Sequence, residues 1–241
     1  MEELFRQDSY LRNCEAVVVA IGPEGITLDK TVFYPMGGGQ PGDIGYLTLS
    51  NGSNIDIVDT HKGSTGSEIL HIPAEGSALP IPGTKVTAII DWDRRHRLMR
   101  MHTCLHLLCS LIKGDVTGGQ ISDGKGRLDF NLLPETTLDK TALTDALNAV
   151  IAGNHEVVPR WISDDELVSR PELVRTMSVN PPSGQGKVRL LDITGIDLQP
   201  CGGTHVHNTS EIGLVEIVKI ESKGKMNKRV NIAFKSAQIA P

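Results

Sequence analysis

Long apolar runs are missing from this 241-residue chain. The first, Ala16–Ile21, has six residues, whereas a helix needs ~20 to cross a bilayer and a signal-peptide core ~7–15. The expectation is therefore no membrane partner and a cytoplasmic location. Four cysteines, at 14, 104, 109 and 201, are too few for a disulfide framework and read as buried thiols or metal ligands. Aromatics are scarce, with four Phe, three Tyr and two Trp. A basic excess is also lacking: 24 Lys and Arg face 29 Asp and Glu, for a net charge of −5. Taken globally, that balance argues against a nucleic-acid binder. Glycine is what the chain has in plenty, at 25 residues. Much glycine and few aromatics point to tight turns and short strands rather than a helical bundle. Hydrophobic residues make up 39%, enough for a core in a globular composition.

The first ninety residues read as β. Short apolar stretches at Ala16–Ile21, Gly25–Asp29, Thr31–Tyr34, Tyr46–Leu49, Asn54–Val58, Glu68–Ile72 and Lys85–Ile90 are separated by Gly, Pro, Asn and Ser. Strands of this length and spacing suggest a small barrel or sandwich. The longest interruption, Pro35–Asp43, carries three consecutive glycines and is neither helix nor central strand. Past Asp91-Trp92-Asp93 the period changes. Leu98, Met101, Leu105, Leu108 and Ile112 recur at three- and four-residue steps, predicting an amphipathic helix over 93–113 that Gly114 stops. A short hairpin over 116–132, a helix over 138–152, a strand over 156–162 and a short helix near 164–169 follow. Pro171, Pro181 and Pro182 keep the next stretch mostly irregular. Closing strands are read at 187–192, 214–220 and 229–234. The predicted fold class is α+β: a small N-terminal β-barrel domain over 1–92, then an α+β domain over 93–241.

The chemistry concentrates in two short segments. His102 and His106 stand four apart on the predicted helix, which places both rings on one face, one turn apart. Downstream, Cys201-Gly202-Gly203-Thr204-His205 repeats the four-residue spacing in a glycine-rich turn. Imidazole and thiolate together form a donor set that zinc favours. With eight His and four Cys, chance supplies about 0.2 His-x3-His and about 0.1 Cys-x3-His pairs, so either alone is weak and both together are not. The competing reading is two surface histidines and an unrelated loop. Cys109 shares the His face but reads as a packed thiol, as does Cys104. His207 is the alternate to His205.

These motifs resemble the editing domain of alanyl-tRNA synthetase and its free-standing relatives, the alanyl-tRNA editing family. The resemblance extends through Phe33–Asp43, Asp91-Trp92, Arg100–Thr103, Gly118–Gln120 and Asn208–Gly213, in the family's order and over about residues 33–235. Met36 and Ser210 depart from the family's usual residues, and neither is a proposed ligand. The resemblance implies one Zn2+ per chain, held by His102, His106, Cys201 and His205, in a medium-length, stand-alone editing protein. It implies hydrolysis of the ester in tRNA(Ala) mischarged with serine or glycine. An alanine pocket cannot strongly reject either residue, so a second site must discriminate. Polar groups left unpartnered when alanine enters would do so. Gln120 matches a family position near the metal, and Thr117 and Thr103 are further candidates. The plain alternative is that these three serve the helix and the hairpin.

Two basic clusters offer a local track for phosphates despite the net charge. Arg94, Arg95, Arg97 and Arg100 lie at the start of the predicted metal helix. Lys223, Lys225, Lys228 and Arg229, with Lys219 and Lys235, lie near the C-terminus. Gly37, Gly38, Gly39 and Gln40 lack the Lys-Ser/Thr of a P-loop. They are expected at the junction of the two domains, shaping the mouth of the substrate pocket. Other readings remain: a tRNA-binding module with a structural zinc, and a generic zinc-dependent hydrolase of small esters.

Overall fold

The computed structural model describes residues 1–64, 66, 68–175 and 186–235. Pro181 and Pro182 lie outside the described residues. The chain forms two compact units, Met1–Arg97 and Leu98–Pro241.

The first unit contains β1 (Glu2–Glu3), β2 (Asn13–Gly22), β3 (Gly25–Leu28), β4 (Lys30–Thr31), β5 (Gly45–Leu49), β6 (Asn54–Lys62), β7 (Ile69–Pro73) and β8 (Lys85–Ile90). Six of these close into the expected barrel in the order β2-β3-β7-β6-β5-β8. Closure follows from β8, which pairs antiparallel with both β2 and β5 and leaves the barrel no free edge. Alternation supplies the core. Ile55 and Ile57 of β6, and Val86, Ala88 and Ile90 of β8, are buried between exposed or half-buried neighbours. Val18, Ile26, Leu28, Leu47 and Phe33 fill the same cluster.

Thr31–Tyr34 is not the strand its β-branched and aromatic residues suggest. Pairing stops at Thr31. The Phe33 amide donates to Thr31 Oγ1 at 3.0 Å and the Tyr34 amide to Asp43 Oδ2 at 2.6 Å, so side chains take the place of a ladder. The glycine-rich segment is a tight turn. Gly37 and Gln40 exchange backbone hydrogen bonds at 3.1 and 3.0 Å. Between them Gly38 and Gly39 have φ of 57° and 82°, a region where a Cβ is strained.

Arg95 is a correction to the surface reading. Its side chain is fully buried and paired with Asp43. It also donates to Ser9 O at 3.0 Å and Val32 O at 2.6 Å. A guanidinium so occupied is structural and out of reach of a substrate phosphate. Arg94 is half-buried and donates to Gly42 O at 2.8 Å. His71 is the second buried polar centre. One ring nitrogen faces Ile26 O at 2.9 Å and the other Thr31 Oγ1 at 2.8 Å. That arrangement suits the neutral ring.

Helix α1 (Trp92–Leu111) begins in the first unit and continues into the second. Asp91 caps it, accepting from the Arg94 amide at 3.0 Å. The predicted stripe is present, but Met99, Thr103, Cys104 and Leu107 are buried as well. The helix is therefore enclosed on nearly every side rather than amphipathic. The second unit continues with β9 (Asp115–Ser122), β10 (Lys125–Asn131), α2 (Lys140–Ala152), β11 (Val157–Ser163), α3 (Asp164–Ser169), β12 (Lys187–Ile193), β13 (Asp197–Pro200), β14 (Val215–Ser222) and β15 (Asn227–Phe234).

Two antiparallel sheets result, β14-β15-β10-β9 and β11-β12-β13. Strand β13, with its Asp and Pro, has no strand-like pattern and escapes the sequence reading. Gly126 of β10 admits α1: a Cβ there would meet Met101 Sδ at 2.9 Å and Leu105 Cδ2 at 3.2 Å. Helix α2 is capped by Asp139 and covers the β14 edge with polar side chains. Asn148 exchanges hydrogen bonds with Val215 at 2.9 and 3.0 Å, and Thr144 Oγ1 accepts from Ile217 at 3.1 Å.

Candidate metal centre

The helical pitch of α1 places His102 and His106 one turn apart, with ring centroids separated by 5.3 Å. The segment after β13 returns Cys201 and His205 to the same point. His205 lies 4.3 Å from His102 and 5.1 Å from His106 between centroids. Cys201 Sγ is 3.1 Å from His205 Nε2 and 3.6 Å from His102 Nε2. One donor atom from each of the four residues falls within 4.8 Å of every other. A tetrahedral zinc with nitrogen at ~2.0–2.1 Å and sulfur at ~2.3 Å holds its donors roughly 3.3–3.8 Å apart. The cluster is close to that spacing, and its donor chemistry suits the same ion. All four residues belong to the second unit.

Burial sets the protonation of these rings. His102 and His205 are held well below the ordinary imidazole range, first by desolvation and then by neighbouring rings and Arg189. His106 is lowered to about 4 by desolvation, with Arg189 adding to it. Neutral rings are the form that ligates a cation. Cys104 and Cys109 are buried and their thiols are pushed up by desolvation. Cys109 donates toward Gln199 Oε1 at 3.7 Å and takes no place in the four-residue cluster.

Thr103 serves the cluster without joining it. Fully buried, its Oγ1 lies 3.1 Å from His205 Nδ1 and accepts from the Val206 amide at 3.4 Å. A ring nitrogen engaged on one side leaves Nε2 aimed at the donors. Arg189, on β12, is the residue that sequence reasoning missed. It is buried, and Nη1 donates to Cys201 O at 2.8 Å and Gly203 O at 3.0 Å.

The other predicted residues are not among the four whose donor atoms converge. Among the described residues, the hydrogen bonds of Thr117 and Gln120 remain within their own sheet. Thr117 Oγ1 donates to Asp129 O at 3.2 Å and accepts from Asn227 at 3.0 Å. Gln120 is exposed and accepts from Arg127 at 3.3 Å. Arg229 is held by Asp129 at 2.7 and 2.8 Å, and that carboxyl is lowered chiefly by the Arg229 hydrogen bonds. Lys223 and Lys225 are exposed in the turn between β14 and β15, and Lys228 donates to Ser222 at 2.8 Å. Gly37–Gln40 and Arg94 belong to the first unit.

Residues 188–231 match the family described as the threonyl and alanyl tRNA synthetase second additional domain, and residues 7–94 match tRNA synthetases class II (A). A protein of Saccharolobus solfataricus named alanyl-tRNA editing protein AlaX-M is 38% identical over 239 residues, covering 97% of this chain and 99% of that protein. A Methanosarcina acetivorans protein of the same name is 38% identical over 240 residues, covering 95% and 97%. An alanine--tRNA ligase of Saccharolobus islandicus is 35% identical over 228 residues, covering 91% of this chain but 25% of the ligase. Likeness at this level along almost the entire length, in a chain whose His and Cys pairs converge on one point, places it in the alanyl-tRNA editing protein family.

Proposed function

We propose that this chain is a trans-editing deacylase that hydrolyses the ester joining serine, or glycine, to the 3′ end of tRNA(Ala). The observation that carries the reading is the convergence of His102, His106, Cys201 and His205 within 4.8 Å, in a chain similar over nearly its whole length to proteins named for alanyl-tRNA editing. Those four side chains would hold one zinc ion, which when bound supplies positive charge and Lewis acidity at a carbonyl. The chain's own part is to present neutral, pre-aimed donors. Thr103 fixes the His205 ring, and Arg189 fixes the loop of Cys201. Thr117 and Gln120 are proposed to discriminate the serine hydroxyl, and Lys223, Lys225 and Lys228 to meet tRNA phosphates. Gly37–Gln40 and Arg94 complete the proposed substrate contacts. No nucleophilic side-chain set is needed when water attacks the ester directly.

Deacylation of seryl-, glycyl- and alanyl-tRNA(Ala) tests this. Rapid loss of serine with alanine spared is the expected result, and equal rates on alanine would overturn it. His106→Ala and Cys201→Ala should each lose zinc and activity together; full activity without metal excludes the zinc assignment. A second reading, a tRNA-binding module with a structural zinc, is favoured by the count of four protein donors, which fills a tetrahedral shell. Chelation separates the two. Lost hydrolysis in a protein that stays folded supports the enzyme, whereas unfolding supports the structural ion.

A further inference from the structure

We propose that Arg189 is a positioning residue that holds the Cys201–Gly203 loop in its ligand-ready shape before any metal arrives. The inference rests on the metal reading above. Three hydrogen bonds run between this one residue and that loop. The Arg189 carbonyl accepts from the Cys201 amide at 3.1 Å, and Nη1 donates to Cys201 O at 2.8 Å and Gly203 O at 3.0 Å. A single nitrogen with two hydrogens thus gathers two carbonyls two residues apart. The Gly203 amide of the same loop donates to Cys201 Sγ at 3.5 Å.

The loop that bears the thiol is therefore shaped on both sides, by a cation at its carbonyls and by its own amide at its sulfur. The sequence explains why a side chain must do this. Cys201-Gly202-Gly203 carries no bulk of its own to fix its conformation, and two glycines pay a large backbone entropy when ordered. The clamp sits on a paired strand, β12, so its position is set by the sheet. A buried cation beside a cation site is electrostatically unfavourable, which makes a role in loop geometry the better account of its presence. Outer partners of this kind typically change metal affinity 10–100-fold when removed.

The test measures zinc affinity by competition with a chromophoric chelator and, in the cobalt-substituted protein, the thiolate-to-metal absorption band. Arg189→Met, which keeps the length and loses the donors, should bind zinc 10–100-fold more weakly than the parent and shift the cobalt band. Arg189→Lys, which keeps two donors on one nitrogen, should recover part of the loss. A folded Arg189→Met protein with parental affinity and an unchanged band overturns the proposal. Hydrogen exchange on the unaltered, metal-stripped chain decides the matter independently of how the variants fold. The Gly203 amide, inside the clamped loop and bonded to Cys201 Sγ, should be protected without metal, and exchange at the rate of an open loop overturns the inference. If the parent chain itself binds no zinc, the metal reading fails instead, and the two failures remain distinct.

Discussion

His102, His106, Cys201 and His205 announce themselves because donor type and spacing are written in the sequence; Thr103 and Arg189 do not. Their partners are a ring nitrogen and backbone carbonyls that only the fold brings near. Arg95 is concealed in the sequence for the same reason. Asp43 stands fifty-odd residues upstream, with nothing in the sequence to join them, so a fully buried pair looks like one more surface arginine. At this scale Thr103→Val is the informative change. It keeps the volume but removes the acceptor of the Val206 amide and the partner of His205 Nδ1. Leaving such buried groups unsatisfied costs about 1–3 kcal/mol. The expected outcome is that loss in urea unfolding together with roughly tenfold weaker zinc binding, the latter read by chelator competition. Unaltered zinc affinity would mean that His205 is held by packing alone.

At the level of elements, α1 determines where the two histidines stand, and Gly126 of β10 lies against that helix. A methyl group there would lie 2.9 Å from Met101 Sδ and 3.2 Å from Leu105 Cδ2, beside His102 on the same helix. Gly126→Ala is expected to destabilise the second unit by about 1–3 kcal/mol through overpacking. Zinc affinity should fall in step as α1 shifts, measured by denaturant unfolding with and without metal. The main helices and most strands were legible because their periods are clear, and the barrel followed from short alternating runs. Two elements were not. Thr31–Tyr34 has strand-like residues whose amides bond to Thr31 and Asp43 side chains instead. Strand β13 is extended only because β12 offers it a partner. Pairing order is likewise invisible in a single sequence, since β8 meets β2 and β5 across long stretches of chain.

For the molecule as a whole, stability and partner choice depend on the solvent in opposite corners of the charge balance. His71 sits inside the barrel unit with both ring nitrogens engaged, and burial lowers it from 6.5 to about 4. The unfolded chain therefore binds the extra proton first. Stability rises with pH across that interval and is lost as pH falls from about 6.5 toward about 4, by about 3 kcal/mol in all. Urea midpoints at pH 7 and 4.5 should show the fall. A His71→Asn variant should be weaker at pH 7 but flatter between the two; an equally steep variant would assign the effect to other groups. Lys225, in the exposed turn between β14 and β15, and Lys228, on β15, are the residues proposed to meet tRNA phosphates. Charge reversal of Lys225 and Lys228 is expected to weaken tRNA binding and make its salt dependence shallower, by about one unit of slope per lost phosphate contact. Binding isotherms from low to high salt provide the readout, and unchanged slopes would move the RNA track elsewhere.

The separation of the two ligand pairs along the chain also has a consequence in time. Roughly 95 residues lie between His106 and Cys201, so at ~5–20 residues per second a ribosome exposes the helical pair about 5–20 s before the thiol that completes the set. A nascent chain in that interval offers two imidazoles, too few to hold zinc firmly. Capture of the proposed zinc therefore waits for Cys201, and fragments ending before it should be recovered without metal.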